Sequence, residues 1–350
     1  MPKKREKSLN QEIHIPTTSS TSLENQIKQF KALLEAEDDI FGTTSYYLHS
    51  GNLALDYIIS GKADGSGGWP SRSIVEMFGP PSTGKTLLID KAGAEMQKMG
   101  GLFVIADVEN RWNKAFAKLH GVNVDEAICF TPSTVEEFTI KIDRLLEGAN
   151  GIKILIALDS LARLSTIKEI DDVEEGDIKA DQGRKAQKIH AAMRVLPAKI
   201  HKTDSIFMVA NHIIDNPNQT YGSMKHTPGG RGIPFQATVR IDLSHPTPLI
   251  LKGKNRPIGV ELHAKCVKNS ETVPFGECDI KMLWSVGVNK YAGLADILID
   301  CGIINKNGAW LEYNDQKFYE RDLQKIIESN SEILQDERLT YPYFMKDGGD

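Results

Sequence analysis

The sequence predicts an α/β fold with a doubly wound, mostly parallel sheet and an antiparallel extension. Three observations carry this. Short apolar runs alternate with helical patterns from about residue 73 to residue 211, the signature of βαβ units. One run, Ile154-Leu155-Ile156-Ala157-Leu158, is apolar throughout, as a central strand covered on both faces must be. Beyond residue 236 two β-rich runs, 238–243 and 259–265, follow each other, as neighbouring antiparallel strands joined by a Pro-rich loop would.

In chain order, residues 1–24 are polar, with Thr17-Thr18-Ser19-Ser20-Thr21-Ser22 among them, and read as a low-complexity tail. Its basic start, Lys3-Lys4-Arg5, lacks the apolar run of a secretory signal. A solvated tail and a nucleic-acid-binding arm both fit it. A helix is predicted over 23–37, where Ile27, Phe30, Leu33 and Leu34 recur at helical spacing. A Gly-rich connector lies at 61–68. Strands are predicted at 73–78, 101–107, 153–159 and 205–211, and helices at 87–96 and 135–146. A helix at 291–300, a turn region at 305–308 and a helix at 321–331 end the chain.

Composition bounds the function. The chain has 350 residues, 40% of them hydrophobic and 25% charged, which is ordinary for a globular protein. No stretch approaches the ~20 apolar residues of a membrane span. The cysteines, Cys129, Cys266, Cys278 and Cys301, are scattered without metal-ligand or C-x-x-C spacing. They suit reduced core positions of a cytoplasmic protein. Net charge is −5, so any nucleic-acid contact must come from local basic patches.

The densest chemical signal is Gly79-Pro80-Pro81-Ser82-Thr83-Gly84-Lys85-Thr86, which fits G-x-x-x-x-G-K-[ST]. The glycines allow a sharp turn whose N–H groups face phosphate oxygens. Lys85 supplies a point charge for the outer phosphates. Thr86 offers a hydroxyl to Mg²⁺, and the helix that follows aims its positive end at the anion. A predicted strand before and helix after meet the context the motif needs.

Further candidates sit at strand tips. Asp159 is placed to hold Mg²⁺ through water, or to cap a helix. Glu109 could orient and deprotonate an attacking water, or be a solvated loop acid. Asn211-His212 could sense a γ-phosphate, or be a satisfied polar pair. Two long polar segments, 171–183 and 213–236, are candidates for functional loops. The first enters a helix carrying Arg184, Lys185, Lys188 and Arg194, cations that also suit a solvated helix face.

Together these residues resemble the RecA family of recombinases, bacterial and phage members alike, over roughly residues 45–310. Ile105-Ala106-Asp107-Val108-Glu109 resembles the stretch ending in the family's catalytic glutamate. Ala157-Leu158-Asp159-Ser160 resembles its second nucleotide motif. Asn211-His212 stands where the family has its Asn-Gln switch, with histidine for glutamine. Pro228-Gly229-Gly230, followed by Arg231, resembles the end of the second DNA loop, and 171–183 falls at the first. Val267-Lys268-Asn269 resembles the motif whose lysines reach a neighbouring subunit's ATP, with Ser270 in place of the second lysine. Asn113 and Phe116 fall at adenine-contacting positions. Gly308-Ala309-Trp310 fits a family turn, after which the large C-terminal domain looks reduced.

The resemblance implies a RecA-type P-loop ATPase core over 63–285. It also implies an N-terminal oligomerisation segment over 25–62 and a small C-terminal α+β piece over 286–350. It implies ATP and Mg²⁺ as cofactors, with Lys85 and Glu109 catalytic and Thr86 and Asp159 at the metal. Gly79, Pro80, Pro81, Ser82, Thr83, Gly84, His212 and Lys268 would hold nucleotide, and Asn211 with His212 would switch. Arg184, Lys185, Gly229, Gly230 and Arg231 would meet DNA. Expected partners are single-stranded DNA, homologous duplex DNA, further copies in a helical filament, a single-strand-binding protein and a loading mediator, with no membrane. A phage origin would place the protein in a bacterial host's cytoplasm. Two alternatives share the motifs: a ring-forming RecA-fold motor, and a nucleotide-switched mediator without strand exchange.

Overall fold

The computed structural model describes residues 44–176, 182–215, 225–250, 253 and 255–339. The chain divides into two compact units, Met1–Thr43 and Thr44–Asp350, and every described residue lies in the second. The predicted tail and the helix at 23–37 therefore lie outside the described residues.

A nine-stranded sheet forms the centre. Its strands are β1 (Ser73–Phe78), β2 (Leu102–Asp107), β3 (Ile128–Phe130), β4 (Ile154–Asp159), β5 (Ile206–Asn211), β6 (Val239–Ile250), β7 (Pro257–Asn269), β8 (Glu277–Leu283) and β9 (Gly287–Val288). The order is β9-β8-β7-β6-β1-β5-β4-β2-β3. The pairs from β6 to β3 are parallel, and those from β6 to β9 are antiparallel. The predicted α/β class and its antiparallel extension are both present.

The described α-helices are α1 (Leu53–Ser60), α2 (Lys85–Lys98), α3 (Lys114–Leu119), α4 (Val135–Glu147), α5 (Ile167–Glu174), α6 (Gln182–Lys202), α7 (Gly232–Gln236), α8 (Leu294–Asp300) and α9 (Leu323–Ser329). Strand alternation splits the apolar side chains into two cores. Val75, Met77, Leu155 and Ala157 join Leu88, Ile89 and Met96 of α2. Ile74, Ile156 and Leu158 join Phe138 and Ile142 of α4 and Ile189 and Leu196 of α6. A Cβ at Gly93 of α2 would fall 2.6 Å from the Phe103 ring, so glycine is what lets α2 lie close on β2. Asn52 caps α1 by accepting from Leu55 N–H, and its amide donates to the carbonyls of Asn289 and Ala292. α1 is buried along its whole length.

The structure corrects four local expectations. Residues 244–250 are strand, not Pro-rich loop: β6 runs on past a bulge and pairs Pro248 with Val260. β1 borders β6 only from Val239 to Asp242, so beyond that point β6 pairs with β7 on one side alone among the described residues, a one-sided setting in which proline is tolerated. Residues 305–308 belong to a small antiparallel sheet of Asn305–Asn307, Trp310–Tyr313 and Gln316–Phe318, instead of a simple turn region. The polar segment 171–183 is helical at both ends, in α5 and α6, with 177–181 outside the described residues. A Thr166–Glu169 capping box starts α5, which explains why a polar stretch is helical. The segment 213–236 holds a short hairpin, Ile214–Asp215 against Lys225–His226, and then α7, with 216–224 outside the described residues.

Candidate active site

The C-terminal tips of β1, β5, β4 and β2 open on one edge of the sheet, where ligands of such folds bind. After β1 the chain turns through residues 79–84 into α2. Gly84 takes a left-handed φ of 71° as the helix begins. A Cβ at Gly79 would fall 2.1 Å from the Leu243 carbonyl oxygen, so β6 leaves no room for a side chain there. A cleft of about 420 Å³ opens above the loop, lined by Pro81 to Leu87 with Asp107, Glu109, Arg111, Trp112, Phe116, Asp159, His212 and Trp284.

The polar groups converge. Lys85 Nζ donates to the carbonyls of Gly79 (3.0 Å) and Pro80 (2.8 Å) and to Thr83 Oγ1 (3.2 Å). Burial lowers its pKa, against the pull of Asp159 and Glu109. Thr86 Oγ1 donates to Asp159 Oδ2 at 2.6 Å. Burial raises the Asp159 pKa, an effect that a cation beside it would reverse. A threonine hydroxyl and a carboxylate on adjoining elements are the hard oxygen donors that suit Mg²⁺, with phosphate and water completing its shell.

Glu109 lies just past β2. Its Oε1 accepts from Ser160 Oγ at 2.8 Å and lies 3.0 Å from His212 Nε2. Burial pushes its carboxyl up, but the bonds to His212 and Ser160 outweigh that and leave it below the ordinary value. The cleft therefore contains an ionised, oriented carboxylate. Asn211 is fully buried. Its Oδ1 accepts from His212 N–H (3.0 Å), and its amide donates to Glu76 Oε1 (3.0 Å) and to the Pro228 carbonyl (3.1 Å).

Other candidates lie elsewhere. Asn113 does not line the cleft: its Oδ1 caps α3, accepting from Ala115 and Phe116 N–H. Lys268 is also outside it, with Nζ on the carbonyls of Pro234 (3.0 Å) and Phe235 (2.7 Å). Arg184 pairs with Asp172 at 3.1 Å. Lys185 donates to the Ala162 carbonyl at 2.7 Å, and burial lowers its pKa. Gly229 and Gly230 have φ of 95° and 71°, and a Cβ on either would meet Leu161, Ile189 or Ala186 at about 3 Å. Arg231 is exposed.

Sequence reasoning missed three residues. Trp284 lines the cleft from the β8–β9 turn, too far along the chain for spacing to reveal it. Trp112 donates its indole N–H to buried Asp90 at 2.8 Å. Glu76 looked like one more strand residue. Only its lone charge within an apolar run signalled that it needed partners.

Comparison with known proteins places relatives along most of the chain. The family model for the RecA N-terminal domain matches residues 33–289. The RecA protein of Streptococcus mutans is 35% identical over 294 residues, covering 83% of this chain and 74% of that protein. That of Streptococcus sanguinis is 34% identical over 310 residues, covering 87% and 78%. That of Streptococcus pneumoniae is 35% identical over 292 residues, covering 82% and 72%. With a family match over most of its length and these relatives along it, the chain belongs to the RecA family of recombinases.

Proposed function

We propose that this protein is an ATP-dependent DNA recombinase. It assembles as a filament on single-stranded DNA, pairs that strand with homologous duplex, and hydrolyses ATP faster when DNA is bound. The observation that carries the reading is convergence on one cleft: Lys85, the Thr86–Asp159 pair and the Glu109–His212 pair, brought together from four elements.

The residues divide the work. Lys85 now spends its ammonium donors on the loop's own carbonyls and hydroxyl, a contact that exchanges for phosphate oxygens when ATP enters. Thr86 and Asp159 would hold Mg²⁺, which supplies charge neutralisation on the phosphates. Glu109 takes the proton of the attacking water, since its carboxylate is ionised and pinned by Ser160. Trp112, Phe116 and Trp284 offer aromatic surface for the base. His212 touches Glu109 on one side and follows Asn211 on the other, so it senses whether the cleft is filled. Lys268 does not line its own cleft, which leaves it for a neighbouring subunit's ATP. The strand is held through its backbone, so affinity falls with salt and varies little with sequence.

ATP turnover with and without single-stranded DNA, followed by strand exchange on homologous duplex, tests the reading. Stimulated turnover with exchange is expected. Stimulated turnover without exchange would make the protein a nucleotide-switched mediator, and closed rings in electron micrographs would make it a motor.

A further inference from the structure

Glu76 is the one charged residue in the apolar run of β1, and it is completely buried. Both its oxygens are used. Oε1 accepts from the Asn211 amide on β5 at 3.0 Å, and Oε2 accepts from Arg240 Nε on β6 at 2.6 Å. β5 and β6 are the two strands that flank β1, so this carboxylate bridges the centre of the sheet in both directions.

Each partner leads to the described part of segment 213–236. The Asn211 amide also donates to the carbonyl of Pro228, near that segment's middle. Arg240 is the cross-strand partner of Lys268, and Lys268 Nζ holds the carbonyls of Pro234 and Phe235, near the segment's end. Arg240 also lies over the Phe78 ring, 4.9 Å from its centre, which fixes its guanidinium beside Glu76. In the other direction Asn211 reaches Glu109 through His212. Residues 228–235 are thus gripped at two points: one is hydrogen-bonded to Glu76 through Asn211, and the other belongs to Lys268, which lies across the β6–β7 pair from Arg240 and within the field of the Glu76 charge.

We propose that Glu76 is a positioning residue that couples the nucleotide cleft to segment 225–236, by holding Asn211 and Arg240 in fixed relation across β1. It touches neither nucleotide nor DNA. The inference rests on the proposed reading of 213–236 as the segment that answers to DNA. Hydrogen bonds that share a partner on one side, and a buried charge pair beside the Lys268 strand on the other, are the physical basis on which the two sites can bias each other.

Glu76→Gln keeps an oxygen for Asn211 and removes the charge that holds Arg240. Turnover without DNA should stay within about twofold of the parent, while stimulation by single-stranded DNA should fall about fivefold to tenfold. A lone buried guanidinium could unfold that variant, so Glu76→Gln/Arg240→Met is made alongside it, with no unpaired charge left. Circular dichroism and thermal melts verify folding, and the double variant should show the same selective loss. A folded double variant stimulated as strongly as the parent overturns the role of Glu76. So does a folded variant that loses turnover without DNA as well, because the damage then lies in the cleft. A parent whose turnover ignores DNA overturns the proposed function itself, which separates the two failures.

Discussion

The phosphate loop and segment 225–236 hang from neighbouring strands but are built in opposite ways. Residues 79–86 draw most of their internal hydrogen bonds from their own sequence, with β6 packed against Gly79. Gly84 makes the turn, Lys85 folds back onto the loop, and α2 starts at once. Segment 225–236 has little that is local. Its glycines press on Leu161, Ile189 and Ala186, and its carbonyls are held by Asn211 and Lys268, from strands before and after it. A site made of contiguous residues keeps its shape when distant residues change. A site held from outside changes with whatever its holders sense.

Substitutions can break that contrast or sharpen it. The largest effect belongs to Lys85→Ala. ATP turnover should fall by roughly 10²–10³-fold or more, because a preorganised charge at the phosphates is lost. The fold should be retained by circular dichroism, with a modest drop in melting temperature as the loop carbonyls lose the ammonium. Glu109→Gln should come next. It should lose about 10²-fold in turnover while still binding ATP and single-stranded DNA, read by fluorescence titration. Normal turnover would remove Glu109 as the base.

The third test concerns Asp90 beneath the cleft. Burial raises its carboxyl to about 7 from 3.8, with Asp159 adding to the rise and the Trp112 hydrogen bond opposing it. The folded state keeps a proton that the unfolded chain gives up. The stabilisation is full below the unfolded value and is lost as pH rises through the folded one. Urea melts between about pH 4 and pH 8 should show this fall, and Asp90→Asn should flatten it by roughly 1–3 kcal/mol. The smallest effect is expected from Gly229→Ala. It sets a Cβ at φ 95° against Leu161 and Ile189, at a cost of about 1–2 kcal/mol in the same melts. If segment 225–236 is held from outside, this change should also blunt DNA stimulation while leaving DNA-free turnover intact.

Much of the nucleotide side was legible in the chain. The motif at 79–86, the apolar strand before Asp159 and the acid at Glu109 all follow from local pattern, and the structure gathers them around one cleft. Asn113, set at an adenine-contacting position by the resemblance, is the N-cap of α3 in this structure, as an Asn ahead of a helix readily is. Prolines 246 and 248 show where local pattern misleads. They suggest a loop, but the strand runs on through them and pairs Pro248 with Val260.

By itself the sequence determined the alternation of strands and helices between residues 73 and 211, the phosphate loop and the family. Each of these rests on residues close together in the chain, where backbone preference and apolar period act directly. The tertiary structure alone decided that Glu76 meets Asn211 and Arg240, at sequence separations of 135 and 164 residues. It alone brought Trp284 to the cleft and set Lys268 on α7. The reason is burial. A charge shut inside a sheet must find its partners on whichever strands lie alongside, and strand order is a property of the folded sheet.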